Sequence, residues 1–170
     1  SLLFCTAGVS VMAQRAKVSS ADESLKKQDL EKAKADIDAA LQNDKTKDDA
    51  KTWLVDGKIL EAMGTKQKNP ALSLEAFAAF QKALTIDPKM KEAVLEMNQP
   101  LFNVYATIAN AGYANLNEQK WDSSLINFKK AFEVAEFYNS KNLGGSIPTD
   151  TALTFYVGYA ANQAGKKDDA

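Results

Sequence analysis

The stretch AFAAFQKALTIDPK, Ala76 to Lys89, decides how the chain is read. Ala76, Phe80 and Ala83 recur at intervals of four and three residues, so a helix would carry them on one face. Small residues on that face let neighbouring helices approach, and the phenylalanine between them fills the remaining space. Pro88 cannot extend the helix, so the chain is expected to turn there. Upstream, Asn69 can cap the segment and Pro70 can occupy its first turn, which predicts a helix over Pro70–Ile86.

The same periodicity extends in both directions. Leu30–Gln42 places Ala33, Ile37, Ala40 and Leu41 on one face. Asp49–Met63 aligns Trp53, Gly57 and Leu60, with Gly64 as a natural stop. A longer helical region is expected over Lys89–Leu116, kinked near Pro100 because a proline inside a helix removes a hydrogen bond and clashes with the preceding turn. Trp121–Tyr138 carries a stripe of Leu125, Phe128, Ala131, Phe132 and Ala135. NSKNLGGSIPTD, residues 139–150, reads as a loop. Thr149 or Asp150 can then cap a last helix over Thr151–Ala164, ended by Gly165. Apolar residues almost nowhere alternate with a period of two, so the fold class is all-α.

With 170 residues, 45% of them apolar and 25% charged, the chain can bury one substantial core. Its 21 Lys and Arg nearly balance 22 Asp and Glu, so no net field favours nucleic acid or an acidic membrane surface. There is no histidine, which removes the commonest metal ligand and the usual general base at neutral pH. The only cysteine, Cys5, cannot form an internal disulfide. Gly144-Gly145 follows no strand and lacks the G-x-G-x-x-G pattern. Neighbouring acids such as Asp48 with Asp49, or Asp168 with Asp169, lack the spacing of a calcium loop. No cofactor and no metal are expected, and no enzymatic role.

The opening SLLFCTAGVSVMAQ is a short apolar run followed at once by charge. It is too short to span a bilayer, but suits the apolar region of a secretory signal with Val11 and Ala13 before the cleavage point. Residues 1–13 are therefore read as a signal-peptide remnant, and residues 14–170 as the mature helical domain. Two other readings stand beside it. One is a lipoprotein signal acylated on Cys5, against which bulky Phe4 counts; only then would the protein associate with a membrane. The other is an ordinary buried N-terminal helix. A chain without further cysteine suits an oxidising exported compartment.

Trp53, Asp56, Gly57 and Leu60, followed by Ala76, Phe80, Ala83 and Pro88, resemble the tetratricopeptide repeat family, whose helix pairs carry W-x-x-L-G-x-x-Y and then A-x-x-x-F and P. A further unit shows Ile108, Ala111, Gly112 and Asn115, then Trp121, Ser124, Phe128 and Ala131. A last one shows Thr154, Val157, Gly158 and Ala161 and is cut short at Ala170, and an earlier one uses Ala33, Ile37 and Ala40. Gly57, Gly112 and Gly158 are 55 and 46 residues apart. The family repeats every roughly 34 residues. Insertions must therefore lengthen loops or helices. Asp56 stands where the family has an apolar residue, and an unpaired buried carboxylate is costly.

The resemblance implies an α-solenoid of stacked antiparallel helix hairpins, irregular in repeat length, in which Gly57 meets Ala76 and Gly112 meets Ser124. It also implies a concave groove that binds a protein or peptide partner. The groove positions carried over are Leu54 and Lys58, then Ala109, Tyr113 and Asn117, then Phe155, Tyr159 and Asn162. Aromatic residues at helical spacing also suit a core, and this reading stays open for Tyr113 and Tyr159. Trp53, Phe80 and Phe128 are expected in the core. The expectation is an exported scaffold of the bacterial periplasm or cell envelope. A structural or assembly subunit of a larger envelope complex is the alternative.

Overall fold

The computed structural model describes residues 6–90, 95–142, 145–149 and 151–166, with side chains described from residue 15 onward except at 151 and 152. Cys5, residues 91–94, Asp150 and the acidic pair at 168–169 lie outside the described residues. The described residues form seven helices: α1 (Thr6–Lys26), α2 (Leu30–Leu41), α3 (Ala50–Gln67), α4 (Pro70–Ile86), α5 (Asn98–Asn117), α6 (Trp121–Ser140) and α7 (Thr151–Gln163). No strand occurs among them.

Short polar side chains start several of these helices. The carboxylates of Asp29 and Asp49 accept from the backbone N–H groups of Lys32 and Lys51 at 3.1 and 2.9 Å. The Asn69 carbonyl accepts from Ala71 N–H at 3.0 Å, with Pro70 in the first turn as its sequence predicts. The stop expected at Gly64 does not occur. Helix α3 runs on to Gln67 and closes at Lys68, whose φ of 51° is left-handed. Gly64 serves a close crossing instead: a Cβ there would lie 2.7 Å from Ser73 Oγ on α4. Pro100 does not kink α5, because the helix begins at Asn98 and the proline falls in its first turn, where no intrahelical N–H is needed. Asn139 and Ser140, expected in the loop, complete the last turn of α6. Helix α1 runs unbroken past residue 13 into a charged stretch that periodicity did not mark as helical.

Each helix packs against the next in sequence, with α1 on α2, α3 on α4 and α5 on α6 as hairpins and α7 on α6. Pairings across the hairpins run in opposite directions: Gly57 meets Phe80 while Gly64 meets Ser73. The hairpins are also joined to one another, since α3 packs on α1 and α2, and α5 on α3 and α4. Between α3 and α5 the contacts climb in parallel. Lys58 Nζ lies 2.9 Å from Glu96 Oε2 just ahead of α5, Asn103 Nδ2 donates to Glu61 Oε1 at 2.9 Å, and the Thr65 and Thr107 hydroxyls are 3.5 Å apart.

The centre of each long hairpin has the same construction. A Cβ on Gly57 would lie 2.6 Å from the Phe80 ring, and one on Gly112 would lie 2.8 Å from the Phe128 ring. Both rings are fully buried, which contributes about 2–3 kcal/mol each. The nearest neighbour over Gly57 is thus Phe80, and Ala76, one turn earlier on α4, is fully buried. Ser124 does meet Gly112, donating its hydroxyl to that residue's carbonyl at 3.0 Å. Phe80 follows Gly57 by 23 residues and Phe128 follows Gly112 by 16. The difference is close to two helical turns, roughly one added to each arm of the α3–α4 hairpin.

Apolar burial forms two clusters. The larger runs from Leu54 and Phe80 through Val104 and Phe128 to Leu153 and Ala161. The smaller gathers Val18, Ala33, Ile37, Val55 and Ile59 where α1, α2 and α3 meet. Between α1 and α2 the buried carboxylate of Asp36 accepts from Lys17 at 2.5 Å, Lys32 at 2.6 Å and the Ser20 hydroxyl at 2.7 Å. These partners hold its pKa well below the ordinary carboxylate range, against the opposing effect of burial.

Candidate functional site

Helix α7 sets its aromatic residues on two adjoining faces, because Phe155, Tyr156 and Tyr159 fall within little more than one turn. The inner ring, Tyr156, stacks on Phe128 at 5.6 Å between centroids and meets Tyr113 edge-on at 4.9 Å. Tyr113 also meets Phe128 edge-on, again at 4.9 Å. The outer pair continues the row: Phe155 packs edge-on against Tyr156 at 5.4 Å and lies nearly parallel to Tyr159 at 6.1 Å. Trp121, the first residue of α6, closes it with an edge contact to Tyr159 at 6.2 Å. Six rings thus run without a break from a fully buried phenylalanine to the surface. There Phe155 is 60% exposed and Tyr159 40%. Edge-to-face and offset contacts of this kind hold each ring in place beyond what burial alone provides.

The residues nominated from sequence fall into three places. Tyr113, Phe155 and Tyr159 join the aromatic row through Tyr156, and Asn162 is exposed on the Phe155–Tyr159 side of α7. Asn117 is exposed at the C-terminal end of α5. Tyr113 itself is half-buried, and burial, with a smaller contribution from Tyr156, raises its phenol pKa. Leu54 and Ala109 lie in the core, 6% and 4% exposed. They support helix packing and present almost no surface to a partner, which corrects the groove positions carried over for them. Lys58 is half-buried at a crease of about 310 Å³ and is occupied by Glu96 at 2.9 Å and Asp22 at 3.5 Å. It braces α1 and α3 against the segment entering α5.

Besides Phe128, which was expected in the core, two members of the row were not nominated. Tyr156 lies one residue beyond Phe155, off the positions that the repeat register carries over. Trp121 was read only as part of the α6 repeat signature. The signal that finds both is the density of aromatic residues in TFYVGY, residues 154–159, opposite a tryptophan that opens the preceding helix.

The chemistry available elsewhere is limited. Asp56 and Glu61 are buried on α3, and burial raises both carboxyl pKa values, that of Asp56 to about 6. Glu61 accepts from Asn103 and Thr65, whereas one oxygen of Asp56 and the hydroxyl of Thr52 have no hydrogen-bond partner among the described residues. Asp56 is only 4% exposed, so its raised pKa is a property of packing and not of a site open to substrate. Among the described residues no three His, Cys, Asp or Glu side chains are placed to hold a metal ion, and no helix is long and apolar enough to cross a membrane. No protein-family model matches the sequence, and no match occurs among curated proteins or solved structures.

Proposed function

We propose that the protein is a non-enzymatic scaffold that binds a polypeptide partner at the aromatic face of α6 and α7. The observation that carries this reading is the exposed Phe155–Tyr159 pair, tied through Tyr156 and Tyr113 to the buried Phe128. Rings already held by neighbours lose little entropy on contact and bury large areas, which makes them good anchors for a partner. The hairpin order, the parallel contact of α3 with α5 and the repeated glycine–phenylalanine crossings support an α-solenoid similar to the tetratricopeptide repeats. Such an architecture presents a continuous face to other chains. The apolar run at the N-terminus and the absence of cysteine after Cys5 support export to the periplasm or cell envelope of a bacterium.

The test is affinity capture of the full-length protein from its native envelope, comparing wild type with Phe155→Ala plus Tyr159→Ala. The double variant is expected to lose the partner while keeping its melting temperature, because both rings are exposed. Retention of the same partners would refute the aromatic face as the binding surface.

A second reading, an assembly subunit, is favoured by one observation. A mostly apolar crease of about 350 Å³ lies between α6 and α7, floored by Phe132 and Val157. Sedimentation of the isolated chain separates the two: a monomer supports the scaffold, and stable self-association supports the subunit.

A further inference from the structure

The largest surface cavity, about 680 Å³, shares no residue with the aromatic row and none with the positions nominated from sequence. Ala106, Ala111 and Ala114 of α5 and Pro70 of the α3–α4 turn make much of its lining small and apolar, and no aromatic ring lines it among the described residues. Its polar part includes Asn110 and Asn115 from α5 and Asn127 from α6. None of these three carboxamides makes a side-chain hydrogen bond among the described residues, although Asn115 and Asn127 are half-buried. All three stand inside helices, where asparagine is less favourable than alanine. They bring no helix propensity and no internal hydrogen bond, yet they converge from two helices on one space.

Small-molecule sites commonly have this make-up, mostly apolar with a few convergent polar groups, in volumes of about 300–1,000 Å³. A fitting ligand offers both kinds of surface at once. A sugar ring does so: its C–H faces suit a floor of methyl groups, and its hydroxyls donate and accept as carboxamides do. An N-acetylated sugar adds an amide N–H and C=O, which answer a carboxamide at both of its ends, and a methyl group that can rest on an alanine. Charge narrows the choice further. Lys68 is the one charged side chain among the described residues lining the cavity, and no carboxylate accompanies it. An amino sugar with a free ammonium group would therefore meet a like charge and find no counter-ion.

We infer that this cavity is a second binding site, separate from the aromatic face, for a short neutral oligosaccharide that carries N-acetyl groups. Asn110, Asn115 and Asn127 hydrogen-bond its acetamido and hydroxyl groups. The alanines and Pro70 support its methyl groups and ring faces, and Lys68 disfavours the deacetylated form. The inference does not rest on the polypeptide-binding role of the aromatic face.

The experiment is titration of the isotope-labelled protein with triacetylchitotriose, followed by NMR. The side-chain carboxamide signals of Asn110, Asn115 and Asn127 are expected to shift and to saturate. Asn110→Ala plus Asn127→Ala should weaken binding at least about tenfold, because two hydrogen bonds are lost, with the melting temperature retained. Two further trisaccharides should each bind at least about tenfold more weakly than triacetylchitotriose: its deacetylated, cationic form, and maltotriose, which has hydroxyls but no acetamido group. Phe155→Ala plus Tyr159→Ala should leave the dissociation constant within about twofold. The inference is overturned if triacetylchitotriose moves none of the three carboxamide signals, or if either of the other trisaccharides binds as tightly. Unchanged affinity in the asparagine variant would also overturn it, since the cavity would then act through apolar contacts alone. So would loss of binding in the aromatic variant and not in the asparagine variant, which would place the sugar on the other face.

Discussion

Asp56 shows what a single residue contributes to this fold. Its side chain lies at the junction of α2, α3 and α4, with Lys34 and Asp38 on one side and Glu75 on the other. Burial outweighs the nearby lysine and raises its pKa from 3.8 to about 6. A folded pKa above the unfolded one means that the native state binds the proton more tightly. The stability it contributes is present below about pH 4 and disappears as pH rises through about 6, leaving a penalty of roughly 3 kcal/mol at neutral pH. Asp56→Asn is therefore expected to raise stability by about 1–2 kcal/mol at pH 8 and to match wild type near pH 4, measured by urea denaturation at both pH values. A gain that persists unchanged at pH 4 would mean that the buried charge is not its cause. Gly112 makes the opposite point. Alanine normally favours a helix over glycine by about 1 kcal/mol. Here the added methyl would press on a fully buried Phe128 ring, so Gly112→Ala is expected to destabilise by about 1–2 kcal/mol net. Adding Phe128→Leu should recover part of that loss in a double-mutant cycle.

Helices differ in how many neighbours support them. Helix α3 touches α1, α2, α4 and α5, whereas α7 packs chiefly on α6. Native-state hydrogen exchange is expected to rank α3 as the most protected and α7 among the least, since local opening follows the number of buried contacts. Helix α1 depends on the Asp36 carboxylate, whose lowered pKa has the reverse consequence to that of Asp56. Its contribution is present above the ordinary carboxylate range and is lost as pH falls below it. Asp36→Asn should cost about 1–3 kcal/mol and accelerate exchange in α1 before the rest of the chain. Taken with Asp56 and Glu61, this predicts stability that rises from pH 7 toward pH 4 and falls in stronger acid. The order of these helices was open to sequence reasoning where small residues and rings recur strictly, as in Ala33, Ile37 and Ala40 or Ala76, Phe80 and Ala83. It was closed where one residue type serves two purposes. Gly64 suits a helix end and a close crossing equally, and Pro100 suits a kink and a first turn equally. Only the neighbouring helix decides between them.

At the scale of the molecule, the all-helical architecture and the pairing of helices follow from that small-and-aromatic spacing. The candidate site was legible only in part. Phe155, Tyr159 and Tyr113 could be nominated because a repeat-like register brings them to one side of their helices. Leu54 and Ala109 satisfy the same register yet are buried, since α3 and α5 are covered on more faces than the repeat pattern assumes.

The binding role of the aromatic face is tested most directly by photo-crosslinking in the native cell. A photoreactive phenylalanine analogue would replace Phe155, with the exposed Glu136 of α6 as the control position. A discrete adduct is expected from position 155 and none from 136, and Tyr159→Ala should abolish it. No adduct at 155, or the same adduct at both positions, would contradict the account.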